Sequence, residues 1–151
     1  MVGILVLAHQ PLASAMAQAV THVYSACDAQ SVASLDVVPD ADVNAMVERA
    51  REIIASIDDG SGVLVLTDAF GATPGNVASR VAVSGRVAVI AGVNLPMLLR
   101  AVCYRTGALA DVVEKALAGG TQGVMQIGST SVQNQAHRPD GNDHARLHHQ
   151  Q

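Results

Sequence analysis

The run Val2-Gly3-Ile4-Leu5-Val6-Leu7-Ala8 constrains the fold most, because it carries no polar side chain and stops sharply at His9-Gln10-Pro11. A strand with one wet face alternates apolar and polar residues. One that is apolar throughout suits burial on both faces, inside a sheet covered by helices. Val32 to Val38, closed by Pro39, Val63 to Thr67 and Arg86 to Ala91 read as further strands, and Val124 to Ile127 as a short final one. Helical patterns fill the gaps. Leu12 to Tyr24 is rich in Ala and Met. Asp40 or Asp42 can cap a helix whose apolar positions, Val43, Met46, Val47, Ala50, Ile53, Ile54 and Ile57, fall on one face, and Asp58-Asp59-Gly60 stops it. Pro74 suits the first position of another helix, Asn94 can cap one starting near Pro96, and Ala108 to Ala118 forms the last, ended by Gly119-Gly120. Strand and helix alternate, which predicts an α/β fold: three α/β/α layers around a mainly parallel sheet with right-handed crossovers.

Composition narrows the function. Half of the 151 residues are apolar, enough for one domain with a core, and the aromatics are only Tyr24, Phe70 and Tyr104. The net charge of -4 and the lack of a basic run exclude a nucleic-acid reader. Cys27 and Cys103 show no paired spacing and read as small hydrophobes. No leader segment and no run long enough to cross a bilayer is visible, so a cytoplasmic protein without membrane insertion is expected. From Gly128 to Gln151 the chain turns polar, so residues 1–127 are expected to form the domain and 128–151 a flexible tail. The tail holds His137, His144, His148 and His149; without a fixed geometry they read as solvated side chains, and no metal site is expected.

In an open parallel sheet, ligands gather at the carboxyl ends of the strands. His9 follows the first strand directly and Asp68 the third. If those strands are neighbours, both side chains enter one crevice. A nucleophilic histidine needs one free ring nitrogen, and a carboxylate on the other nitrogen fixes tautomer and orientation. The loop after Asp68 adds Gly71, where the backbone can approach a ligand, and Thr73, which can cap the helix beginning at Pro74 and offer its hydroxyl to a phosphoryl oxygen. Either residue of the His9–Asp68 pair alone reads as a turn or cap; the pair beside a helix start reads as a phosphate-handling site. No phosphate loop of the nucleotide-hydrolase type, dinucleotide fingerprint, zinc spacing or serine elbow occurs, so no cofactor is expected. His22 reads as a surface residue, and Arg80 and Arg100 as the basic residues nearest the crevice rim or a partner surface.

These segments resemble the IIA component of the mannose family of the bacterial phosphotransferase system. The resemblance rests on the strand ending in His9, on Leu66 to Arg80 and on Val89-Ile90-Ala91-Gly92-Val93-Asn94-Leu95-Pro96-Met97-Leu98. Gln10 and Phe70 stand where that family often has Gly and Trp. The resemblance implies that His9 carries the phosphoryl group on Nε2, with Asp68 as its partner and Thr73 near the phosphate; the loop reading adds Gly71 to the phosphate-binding residues. It implies the phosphohistidine protein HPr as donor and a separate IIB component as acceptor. It also implies a homodimer in which a C-terminal strand, here Val124 to Ile127, crosses to the other subunit. Three other readings use the same residues differently: a regulatory module whose phosphorylation state controls a regulator, the phosphocarrier of a dihydroxyacetone kinase, and a small-molecule sensor without covalent chemistry.

Overall fold

The computed structural model describes residues 1–24 and 32–128; Cys27 and the four tail histidines lie outside them. Four strands, β1 (Gly3–His9), β2 (Val32–Val37), β3 (Val63–Thr67) and β4 (Val87–Ala91), form one sheet in the order β2-β1-β3-β4, with every pair parallel. The helices are α1 (Leu12–Val23), α2 (Val43–Ile57), α3 (Thr73–Val81), α4 (Leu95–Tyr104) and α5 (Leu109–Gln122).

Strand alternation sorts the core into two halves. Ile4, Val6 and Ala8 of β1 pack with α1, α4 and α5 through Met16, Val20, Leu98, Ala101 and Val112. Leu5 and Leu7 face the other way, onto α2 and α3 through Val47, Ala50, Val77 and Ala78. Ile4 to Ala8 are wholly buried, as expected of a strand covered on both faces. Continuing the alternation Leu5, Leu7, His9 puts the histidine on the α2–α3 side, where the strand emerges into solvent.

Three expectations need correction. Gly119 and Gly120 do not end α5 but lie inside it, because they form its contact with α4. A Cβ on Gly119 would come within 2.7 Å of Arg100 carbons, and one on Gly120 within 2.6 Å of the Met97 methyl. Glycine is needed there for close helix approach, which outweighs its weak helix propensity. Val124 to Ile127 form no strand in the chain; Val124, Met125 and Ile127 are 76%, 71% and 92% exposed, with no partner edge covering them. Finally, Thr73 is the first residue of α3 and not its cap; Ala72 occupies the cap position.

Candidate functional site

The strand order reverses between β1 and β3: the chain moves outward to β2 from one side of β1 and to β4 from the other side of β3. Such a switch point opens a crevice at the carboxyl ends of the strands. Leu7 of β1 registers with Thr67 of β3, so His9, the last residue of β1, and Asp68, the residue after β3, meet there.

Asp68 grips His9 twice with one oxygen. Its Oδ2 lies 2.7 Å from His9 Nδ1 and accepts the His9 backbone N–H at 3.0 Å, while Oδ1 accepts the Ala69 N–H at 2.9 Å. The carboxylate is 13% exposed and the imidazole 53%. Burial works to raise the Asp68 carboxyl, but the hydrogen bonds from the His9 N–H, the His9 ring and the Ala69 N–H outweigh it and hold the group below its usual range. An ionised Asp68 accepts from Nδ1–H, which leaves Nε2 as the nitrogen with a free lone pair.

Helix starts surround the crevice, and they are not equivalent. At α1, the Ser14 N–H donates to Asp36 Oδ1 of β2 at 3.1 Å. At α2, Asp42 accepts the Ala45 N–H at 3.0 Å, and at α4, Asn94 accepts the Met97 N–H at 2.9 Å. Of the four helices that start at this edge, α1 to α4, only α3 has no side chain on its N–H groups among the described residues; α5, which begins at the far end of α4, also lacks a side-chain cap. Its N1 and N3 positions, Thr73 and Gly75, keep their N–H groups free, while Pro74 between them has none to offer. Gly71 adopts φ +83°, a conformation costly for any residue with a Cβ, and so turns the loop toward α3. Gly75 lets α3 close on that loop; a Cβ there would meet the Ala69 carbonyl oxygen at 2.6 Å. Gly75 was not among the expected site residues, although it follows Pro74 in the segment that carries the resemblance.

The other polar candidates make no hydrogen bond to His9 or Asp68 among the described residues. Arg80 is in the last turn of α3 and donates to Asn44 at 2.9 Å. Arg100 packs its stem on Gly119. His22 is exposed at the end of α1. Among the described residues no group of three or more His, Cys, Asp or Glu side chains could hold a metal, and no helix is long and apolar enough to cross a membrane.

Fold and site together define a parallel α/β domain with a polar crevice at its switch point, built around a hydrogen-bonded histidine–aspartate pair. The chain belongs to the EIIA-man family, the PTS system fructose IIA component, whose model matches residues 3–117. It is therefore a IIA-type component of a phosphotransferase system. It is 33% identical over 113 residues, 73% of its length, to the PTS system mannose-specific EIIAB component of Escherichia coli K12. The chain covers 35% of that relative's length. Two solved structures share the fold at a TM-score of 0.73. One is the phosphotransferase system component EIIA from Streptococcus agalactiae, at 24% identity over 83% of this chain and 97% of that one. The other is the mannose/sorbose specific IIA subunit from Enterococcus faecalis, at 20% identity over 84% and 95%.

Proposed function

We propose that residues 1–127 form a phosphoryl carrier: His9 accepts a phosphoryl group from HPr and passes it to a IIB-type acceptor. One observation carries the reading. A histidine with its Nδ1 held at 2.7 Å by a carboxylate lies at the same sheet edge as the one helix start there whose N–H groups meet no side chain among the described residues.

In this reading the Nε2 lone pair attacks phosphorus while the donor's N–P bond breaks, and the bonding pair stays on the donor ring nitrogen. Positive charge that develops on the His9 ring is offset by Asp68 through Nδ1–H. The free N–H groups of Thr73 and Gly75, with the Thr73 hydroxyl, receive the phosphoryl oxygens. The transition state is loose and in line, so the protein contributes position and charge complementarity. The carrier works in the cytoplasm as a homodimer, with Val124 to Ile127 supplied to the open edge of β4 in the other subunit.

The test is incubation with phosphoenolpyruvate, enzyme I and HPr, read by intact mass and acid lability. The wild-type chain is expected to gain one acid-labile phosphate and His9→Ala none. A folded wild-type chain that stays unmodified beside active phospho-HPr would sink the carrier reading. Equal modification of His9→Ala would move the phosphate elsewhere.

A further inference from the structure

We propose that Phe70 is the anchor on which the phosphohistidine-bearing donor protein docks; this rests on the carrier reading above. Phe70 is the chain's sole phenylalanine and is 91% exposed, while no aromatic side chain is among the buried core residues described. A folded chain gains nothing from an aromatic ring held in water, so the ring's value lies in what covers it.

Its position selects the occupant. Phe70 is two residues beyond Asp68, whose oxygen is 2.7 Å from the His9 ring. Transfer between two ring nitrogens brings the reacting atoms to within about 3–3.5 Å. A protein surface that delivers its phosphohistidine to His9 must therefore cover this loop.

The surroundings are apolar as well. Val38, just past β2 and 45% exposed, and Leu12, at the start of α1 and 39% exposed, reach the same sheet edge from the other side of His9. From Gln10 to Leu12 and from Ala69 to Asn76 there is no ionisable side chain. The part of the donor that meets Phe70 is accordingly apolar.

The ring also stands on a fixed base. Asp68 is tied to His9 and to the Ala69 N–H, Gly71 turns the chain at φ +83°, and Gly75 packs under Ala69 and Phe70. Binding then orders little backbone, which lets one buried ring dominate the affinity. The same contact keeps water from the phosphoryl group in flight.

The experiment compares wild type, Phe70→Ala and Phe70→Leu, with phospho-HPr varied in concentration and, in parallel, with phosphoramidate, a donor too small to dock. Thermal unfolding checks the fold, which an exposed side chain does not support. Phe70→Ala is expected to raise KM for phospho-HPr about ten- to thirtyfold, the effect of removing one well-buried aromatic. Its kcat should stay within about twofold and its rate with phosphoramidate should not change, with Phe70→Leu in between. An unchanged KM in Phe70→Ala overturns the anchor and leaves the carrier reading standing. Equal losses with both donors overturn it too, because Phe70 then shapes the loop. A wild-type chain that accepts phosphate from neither donor overturns the carrier reading and the anchor with it.

Discussion

Helices α3 and α4 begin almost alike and end up with different roles. Each follows a strand of the sheet, each carries proline as its second residue, and each cap residue is extended, Ala72 at φ -90°, ψ 170° and Asn94 at φ -135°, ψ 168°. The difference is one side chain. Asn94 accepts the Met97 N–H at 2.9 Å and donates to the Gly120 carbonyl at 3.0 Å, closing the end of α4 and tying it to α5. Ala72 does neither, and the N–H groups of Thr73 and Gly75 stay open. A side-chain cap contributes about 1 kcal/mol to stability. The capped end serves the fold; the uncapped end, beside His9, is free for an anion.

The comparison has force only if His9 is held for chemistry at the open end, and Asp68 tests that most severely. Asp68→Asn keeps the shape but removes the charge and allows the wrong ring tautomer. Phosphoryl transfer to His9 should slow by roughly a hundredfold or more, with folded content retained. Single-turnover quench-flow with phospho-HPr measures it. A variant that transfers at the wild-type rate would remove Asp68 from the mechanism.

Exchanging the caps gives a smaller effect and a sharper contrast. Ala72→Asp supplies the missing acceptor in a backbone already suited to it. Stability should rise by about 0.5–1 kcal/mol, while transfer slows about tenfold as the carboxylate occupies the N–H groups and repels phosphate. Asn94→Ala should do the reverse: stability falls by about 1–2 kcal/mol, for the lost cap and the lost bond to α5, and transfer is unaffected. Urea unfolding and quench-flow on both variants decide it. If Ala72→Asp transfers normally, the phosphoryl group does not use the start of α3.

Much of this was legible in the sequence, for identifiable reasons. Unbroken aliphatic runs declare β1, β3 and β4: β3 matches its expected bounds, Val63–Thr67, and β1 and β4 fall within a residue of theirs, while the part-buried β2, which carries Ser34 and Asp36, ends at Val37, one residue short of its expected end before Pro39. The capping roles of Asp42 and Asn94 follow from their side chains and hold. The meeting of His9 and Asp68 needed only that β1 and β3 be neighbours, which they are. What failed depended on contacts between distant elements. Gly119 and Gly120 read as a helix stop because the approach of α4 is invisible in the local sequence. The strand expected at Val124 to Ile127 has no partner edge within the chain. Thr73 reads as the cap because hydroxyl residues prefer that place, whereas the turn at Gly71 puts Ala72 there. The open helix start was hidden by that substitution of one residue for its neighbour.

The smallest expected effect concerns how the Asp68 clamp responds to acid, and it separates the site from the opposite edge of the sheet. Asp68 is held below its usual range by the bonds from His9 and Ala69, which outweigh burial. In the unfolded chain it titrates near about 3.9. A carboxyl whose folded value is lowered stabilises the fold fully above the unfolded value, and that stability is lost as pH falls through the folded one. Wild type alone cannot show this, because Asp58 is lowered too, first by Arg86 and then by the N–H groups of Gly60 and Gly62, at the amino end of β3. The difference between wild type and Asp68→Asn isolates the site, since both keep Asp58. Urea unfolding at pH 7, 5 and 3 should give a difference that is constant from pH 7 to 5 and shrinks toward pH 3. A difference that persists undiminished in acid would mean that the bonds to Asp68 do not need its charge. The carboxylate would then position His9 without balancing the charge that develops on its ring.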